Sequence, residues 1–432
     1  MTSAWNKRPL AVLVVLIAIH VLAHIDRNML LAFSPAITKD LALSNAQYGF
    51  LVGAVWVLSF GFMALFMGSL ADRFSRTRII AAGVLIWSVC TWASGHAQSF
   101  GQLAVARFFV ASGEAALVPS AVALLAELFT PQRRGTALGI FFVGIPLGIG
   151  LSFVLAGSLG AGLGWRSTFT VLGVAGVLIA LGLACLRDDR APAPGTVGTA
   201  RRGEPFVAQS RAVLGVMGRN RALQFTVIGF VLVHLIFAGF SFAQLWMVRE
   251  RGFDAATIAR TIGGVQIVFG VLGAVVGGML GDRLSRRFAG GQASFMALLV
   301  AVCGPFMVAY RFVPADSPFF YVGMCAASFL PLALYGPANS LIQGLTPAHM
   351  RSTMAGLTMT VINVFALALG TVVAGAVVDR LGAGGDPQAL TLVLLATDVL
   401  ALCSGLLFWL AARQLRLGKA RVDLNVSPTL AH

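Results

Sequence analysis

Residues 68–78 read GSLADRFSRTR, and residues 278–288 read GMLGDRLSRRF. Both contain the pattern Gly-x-x-x-Asp-Arg-x-Ser-Arg, and Asp72 and Asp282 stand 210 positions apart. A long apolar run precedes each copy and another follows it. Two charged hinges between apolar runs, half a chain apart, mark a duplicated membrane protein, and that architecture points to transport.

Composition agrees. The chain is 58% hydrophobic and 11% charged, whereas a soluble domain is about 25% charged. A bilayer is the simplest solvent for this much apolar surface. The five cysteines, Cys90, Cys185, Cys303, Cys325 and Cys403, all fall in apolar segments without CxxC spacing. They read as small buried hydrophobes, not as a disulfide framework or a metal site. Lys7 and Arg8 precede the first apolar run, which continues past the length of a signal-peptide core without a small-residue cleavage site, so the first span is expected to be retained.

A bilayer-crossing helix needs about 20 apolar residues, and twelve runs qualify, at roughly 9–34, 46–70, 78–97, 101–127, 135–158, 166–186, 222–247, 256–280, 291–311, 317–342, 351–378 and 388–412. The expected fold class is an all-α integral membrane protein of twelve helices in two pseudo-symmetric bundles. The expected divisions are a six-helix bundle over 1–186, a cytoplasmic linker over 187–221, a second bundle over 222–412 and a cytoplasmic tail over 413–432. The linker carries RDDRAPAPG and RRGEP, rich in charge, Pro and Gly.

Charge distribution sets the orientation. With the N-terminus in the cytoplasm, 22 of the 31 basic residues lie inside, seven outside, and Arg27 and Arg107 within spans. The positive-inside rule therefore predicts cytoplasmic termini in a cell membrane. The net charge of +15 reads as an orientation signal and a contact with anionic membrane lipids, not as a nucleic-acid footprint. A second repeat supports the halves. Thr130-Pro131 precedes the fifth span and Thr346-Pro347 the eleventh, where Pro suits a first helical turn or its approach.

The hinge loops resemble the cytoplasmic signature of the major facilitator superfamily. Gly68, Asp72, Arg73, Arg76 and Arg78 match it, while Ser75 and, in the second copy, Ser285 replace the usual glycine. The resemblance spans nearly the whole chain and implies alternating access by two bundles rocking about a central cavity. The hinge has its own physical logic. An acid at the end of one span can accept hydrogen bonds from the free N–H groups that open a span in the other half. Asp72 is expected to latch onto the start of the eleventh span near Arg351 and Ser352. Asp282, beside Arg283, would latch onto the fifth near Arg134 and Gly135.

Ionisable groups inside spans cost about 2.5–3.5 kcal/mol each at a helix centre, so each is informative. The first span carries Asp26-Arg27 and the fourth carries Arg107 and Glu114. At 1.5 Å per residue, Asp26 and Arg107 sit at similar depth, roughly 11–12 Å from the outer end, and Glu114 lies two turns beyond Arg107 on nearly the same face. Asp26, Arg107 and Glu114 are expected to line one cavity, with Arg27 turned about 100° from Asp26 around its helix. Asp26 or Glu114 is the candidate proton carrier and Arg107 the candidate anion anchor. Moving an arginine onto a substrate anion frees an acid to take a proton, which couples the two through one charge balance. A proton gradient would be the energy source, with no cofactor. A static ion-pair network is the competing reading.

Tyr335 and Asn339, four apart on the tenth span, and Asn363 on the eleventh are candidate substrate contacts, with Gln343, Gln244 and Gln266 behind them. Helix-to-helix hydrogen bonding competes for each. His24 and His234 read as structural. Asp398 in the twelfth span has no account from sequence, and Glu127 reads as a solvated or loop-pairing charge. Gly144, Pro146, Gly148 and Gly150 should thin or bend the fifth span, and Pro331 and Pro337 the tenth.

Within the superfamily, the segments around Asp26-Arg27, RFFVASGEAALVPS, FFVGIPLGIGLSFVLAG with GWRSTF, and YGPANSLIQGLTPAHMRSTMAGLTMTVINVFALALG resemble the spinster family. Arg107, Gly113, Glu114 and Ala115 match its fourth-span pattern, and Ala111 replaces its first glycine. That resemblance implies Asp26, Arg27, Arg107 and Glu114 as site residues and an amphiphilic anion, such as a lysophospholipid or sphingolipid phosphate, as substrate. The anion:cation symporter family, which moves sugar acids and other organic anions with protons, is the second resemblance. It shares the Asp-Arg and Arg…Gly-Glu-Ala patterns and the LSNAQYG stretch. The aromatic content of the seventh span, Phe237, Phe240, Phe242 and Trp246, leans to an amphiphile. No HExxH, GxSxG or metal-ligand spacing points to an enzyme. A monomer is expected.

Overall fold

The computed structural model describes residues 8–63, 75–186, 206–347 and 350–426. Among these, eleven segments are long and apolar enough to cross a bilayer. We number the helices in chain order: α1 (Pro9–Ala32), α2 (Asn45–Met63), α3 (Arg76–Gly95), α4 (Phe100–Leu128), α7 (Arg221–Arg249), α8 (Ala255–Leu280), α9 (Gly291–Ala309), α10 (Pro318–Leu345), α11 (Thr353–Ala383) and α12 (Ala389–Leu417). The remaining segment, Thr136–Ala184, has 49 residues. As one helix it would run about 74 Å, more than twice the hydrocarbon thickness of about 30 Å. It breaks at Gly164, where φ is +75° and ψ 166°, a conformation open to glycine and strained for other residues. The parts before and after Gly164 are α5 and α6, which brings the described spans to twelve, as expected.

The turn at Gly164 is fastened from outside. Trp165 Nε1 donates to Asp40 Oδ2 at 2.8 Å, Arg166 pairs with the same carboxylate, and Arg166 Nη2 donates to Ala97 O at 2.8 Å. The GWRSTF stretch thus ties the α5–α6 turn to the segments after α1 and α3.

Helix starts follow local chemistry. Ser44 and Gln47 form a reciprocal capping box at the start of α2, Ser99 caps α4, Asn220 caps α7 and Asp254 caps α8. Each satisfies N–H groups that the first turn leaves unpaired. The hydrogen bonds from Thr257 hold the exposed Asp254 carboxyl below the usual carboxylate range. Ser75, which replaces the signature glycine, caps α3 through Arg78 N. Pro131 opens the helical segment Pro131–Phe142, in which α5 begins, at its first position, as the Thr-Pro repeat predicts.

Prolines break two spans where the functional residues lie. Pro119 has no N–H for Ala115 O and crowds that carbonyl. The α4 helix stops at Glu114 and resumes at Leu117, with Ala116 N bonded to Gly113 O at 3.1 Å. Pro146 does the same near Val143 in α5.

The chain forms two compact units. The first holds α1–α6 with Ser241–Ile267 and Ala368–Leu390; the second holds the remainder of α7, α8 and α11 with α9, α10 and nearly all of α12. In the first, Leu16, Val84, Trp87, Val110, Ala121 and Phe141 make a core shared by α1, α3, α4 and α5. In the second, Leu223, Phe230, Met296, Met307, Leu334 and Phe408 do so. Outward faces stay apolar, with Phe62 73% and Leu178 64% exposed, which is tolerable only against lipid.

Small residues allow close helix approach in the first unit. A Cβ on Gly83 of α3 would lie 2.7 Å from Gly113 O of α4. One on Gly148 would lie 2.7 Å from Val21 O, and one on Gly150 would lie 2.7 Å from Gly263 O. The Gly-Pro stretch of α5 is therefore a contact surface for α1 and α8.

Candidate functional site

Asp26, Arg27, Arg107 and Glu114 converge in the first unit, with two partners that sequence reasoning missed. Asp26 is fully buried, Arg107 6% exposed and Glu114 7% exposed. The arrangement departs from a simple acid–base pair. Arg107 Nη1 donates to Asp26 O at 3.2 Å and Nη2 to Arg27 O at 3.1 Å. The guanidinium grips the backbone of α1 instead of the Asp26 carboxylate. That carboxylate takes Thr91 Oγ1 of α3 at 3.4 Å on Oδ2, and among the described residues Oδ1 has no hydrogen-bond partner.

Glu114 stands at the break in α4, so its side chain leaves a helix end. Its Oε2 accepts from Trp56 Nε1 of α2 at 2.8 Å, and among the described residues Oε1 has no partner. The Arg27 guanidinium lies 3.6 Å from the centroid of the Trp56 ring, a cation held over an aromatic face. Two carboxylates and two guanidiniums sum to zero when all are ionised (2 − 2 = 0). One added proton leaves the cluster with a single positive charge, which an arriving anion balances. A buried carboxylate oxygen without a donor is costly unless something else satisfies it, and a proton on that carboxylate does so.

Thr91 and Trp56 were not visible from sequence because neither is ionisable. The available signal for Trp56 was an indole N–H within an apolar span, since a buried indole N–H needs an acceptor.

Tyr335, Asn339 and Asn363 belong to the second unit, whereas Gln244 and Gln266 belong to the first. The ring of Tyr335 lies 5.6 Å from that of Phe230 and 6.2 Å from that of His234. Asn339 Nδ2 donates to Tyr335 O at 2.9 Å, on its own helix. Asn363 falls in a π-helical turn, Ile362–Leu369. Further π turns occur at Phe50–Ala54 in α2 and at Gln266–Gly270 and Val276–Leu280 in α8. Gln244 Nε2 bonds Ala255 O at 2.9 Å. The histidines serve the backbone: Nδ1 of His20, His24 and His234 lies within 3.0 Å of Phe141 O, His20 O and Phe230 O respectively. Asp398 gains an account: Oδ2 accepts from Arg311 Nε at 2.8 Å, with both side chains at most 4% exposed.

Of the gating candidates, Gly68, Asp72 and Arg73 lie outside the described residues, as do the side chains of Asp282 and Ser352. Arg76 pairs with Glu127 of α4, which gives Glu127 a loop-pairing role. Arg351 Nε donates to Thr346 O at 3.3 Å, and Arg283 is exposed. A latch of the expected chemistry stands elsewhere. Asp379 of α11 accepts from Asn45 N (2.9 Å), Ala46 N (2.8 Å) and Asn45 Nδ2 (2.8 Å) at the start of α2. Arg249 adds bonds to Thr38 Oγ1 (2.7 Å) and Asn45 Oδ1 (3.2 Å). Tyr48 OH reaches Ser241 O and Thr371 Oγ1 reaches Gly49 O, at 2.7 and 2.8 Å.

Comparisons with known proteins agree with this architecture. A described MFS-type efflux pump of Mycolicibacterium smegmatis is 27% identical over 417 residues, covering 95% of this chain and 94% of that protein. The cis,cis-muconate transport protein of Acinetobacter baylyi is 27% identical over 373 residues, covering 83% and 84%. The inward-facing, unoccupied crystal structure of a bacterial homolog of the human lysosomal transporter Spinster superposes with a TM-score of 0.79, at 22% identity, over 96% of this chain and 98% of that one. The family model described as Major Facilitator Superfamily matches residues 16–371. The chain belongs to the major facilitator superfamily and is a multi-pass membrane transporter, not an enzyme.

Proposed function

We propose that this transporter works by alternating access, coupled to protons, and carries an amphiphilic anion such as a lysophospholipid or sphingolipid phosphate. One observation carries the reading: the cluster of buried Asp26, Arg107 and Glu114 with half-buried Arg27, in which each carboxylate keeps one oxygen without a partner among the described residues. Asp26 and Glu114 are the proton sites. Arg27 and Arg107 supply positive charge for the anion. Arg27 is the better placed of the two to change partners, since Arg107 already holds two backbone carbonyls. An anion drawn to Arg27 relaxes that cation's hold on Glu114, which favours protonation, so anion and proton travel together.

On this reading Tyr335, Asn339 and Asn363 of the second half complete the substrate contacts. Asp72 with Gly68, Arg73 and Arg76, and Asp282 with Arg283, close the cytoplasmic side against Arg351 and its counterpart. The protein works as a monomer in the cell membrane with both termini cytoplasmic. It draws on the proton gradient without a cofactor and contacts anionic lipids, not nucleic acid.

A second reading, a proton symporter of a small organic anion such as a sugar acid, is favoured by the likeness to a muconate transport protein along most of both chains. The two share the charge chemistry and differ in the substrate's tail. Flux of lysophosphatidic acid and of gluconate in proteoliposomes, with and without a pH gradient, separates them. Gradient-stimulated flux of the lysolipid is expected. Flux of gluconate alone supports the second reading, and flux of either that ignores the gradient overturns the coupling.

A further inference from the structure

We infer that Trp56 is a positioning residue that holds Arg27 and Glu114 apart, leaving the guanidinium open to an anion and the carboxyl open to a proton. This deepens the proton-coupled reading and rests on it for the anion's role.

The geometry is a three-part stack. Trp56 Nε1 donates to Glu114 Oε2 at 2.8 Å. The Arg27 Cζ lies 3.6 Å from the ring centroid, and the Phe60 ring stacks at 4.4 Å with an interplanar angle of 18°. A guanidinium and a stacked ring this close to one centroid would collide on the same face. Arg27 and Phe60 therefore occupy opposite faces, and the indole is clamped between them. Its N–H edge is what meets the glutamate.

An arginine and a glutamate that face each other away from bulk water favour a fork of two parallel hydrogen bonds. Such a fork would occupy both carboxylate oxygens and two guanidinium N–H groups, and so shut out the anion and oppose the proton. The indole prevents this closure by giving each partner half of what the fork would give. The carboxylate receives one N–H and keeps Oε1 without a donor among the described residues. The cation receives a π face, and among the described residues its side chain makes no hydrogen bond or ion pair.

The other ionisable groups that face Glu114 are Asp26 and Arg27 of α1 and Arg107 of its own helix. The α3 helix contributes Cys90, which faces Arg107. All of them remain in Trp56 variants, so changes in those variants report on the indole.

Two substitutions in the full-length protein separate its two functions. Trp56→Phe keeps a ring for Arg27 and removes the N–H. Trp56→Leu removes both and frees Arg27 to close on Glu114. Protonation of Glu114 is read without substrate from the infrared band of the protonated carboxyl, assigned by its loss in Glu114→Gln. In Trp56→Phe the midpoint is expected to move up by about one pH unit, because the ionised form loses a hydrogen bond. In Trp56→Leu it moves down, because a direct guanidinium partner favours ionisation. Lysophosphatidic acid flux tests the other half: KM is little changed in Trp56→Phe and rises about tenfold in Trp56→Leu, where a charge-assisted pair must first be broken.

Midpoints that stay at the wild-type value, or move the same way in both variants, overturn the inference and leave Trp56 as packing. If Trp56→Leu does not fold, the upward shift in Trp56→Phe decides alone. Failure of wild-type flux to respond to a pH gradient defeats the proton-coupled reading instead, and leaves the opposite midpoint shifts to stand or fall separately.

Discussion

Asp379 accepts three hydrogen bonds at the start of α2, two of them from Asn45, which lies 334 residues away in sequence. A carboxylate at a helix start satisfies N–H groups that have no partner in their own helix and meets the positive end of the helix dipole. On the proposed alternating-access reading, this contact is expected to open in part of the cycle. Asp379→Asn keeps one acceptor oxygen and loses the charge, which removes about 1 kcal/mol of closure. Labelling of Thr38→Cys by an impermeant maleimide should then rise about five-fold. Unchanged labelling would mean that the contact does not limit opening.

Asp26 and Glu114 should differ from ordinary packing residues in what their removal spares. Asp26→Asn and Glu114→Gln are expected to abolish accumulation driven by a pH gradient while exchange of substrate across the membrane persists. Counterflow measured beside gradient-driven flux separates the two. Uphill transport that survives both substitutions would refute the coupling.

Arg107 and Arg27 should separate by readout. Arg107 holds Asp26 O and Arg27 O, so Arg107→Met is expected to cost about 2–3 kcal/mol of stability through two charge-assisted bonds, visible as a lowered melting temperature. Arg27→Met breaks no hydrogen bond among the described residues and should leave melting nearly unchanged while raising the substrate KM. The reverse pattern would reassign the two arginines.

The Arg311–Asp398 pair is buried on both sides. Asp398→Leu alone leaves a buried guanidinium without its carboxylate and should cost about 3–5 kcal/mol, whereas Arg311→Met with Asp398→Leu should recover most of it. Thermal unfolding in detergent checks this. A double variant no more stable than the single would imply that Arg311 serves something besides Asp398.

What could be read from the chain follows from which groups announce themselves. Depth counted at 1.5 Å per residue was enough to bring Asp26, Arg107 and Glu114 to one place, because a helix has fixed rise and charges in an apolar run are few. The acceptors of Arg107 were not readable, since they are backbone carbonyls that every residue carries. Trp56 was hidden for the opposite reason: its ring looks like lipid-facing bulk until its N–H is given an acceptor. Asp398 was opaque because Arg311, counted as an outside charge, turns inward past the end of α9. The chemistry expected of Asp72 and Asp282 appears at Asp379, because a free helix start attracts any acid that can reach it. The twelfth span needed only Gly164, where a positive φ divides a segment too long for one crossing.

The π turn at Phe50–Ala54 lies between the start of α2, fastened by Asp379, and Trp56. A π turn is wound with i→i+5 bonds, so it stores one surplus residue relative to an α-turn. Passing that residue one step along the helix swivels each side chain it crosses by about 100° without loosening either end. Trp56 sits two residues beyond the turn. The slack in α2 therefore lies beside the indole that bonds Glu114, where a shift of the turn by two residues would rotate that side chain with no movement of the helix as a rigid rod.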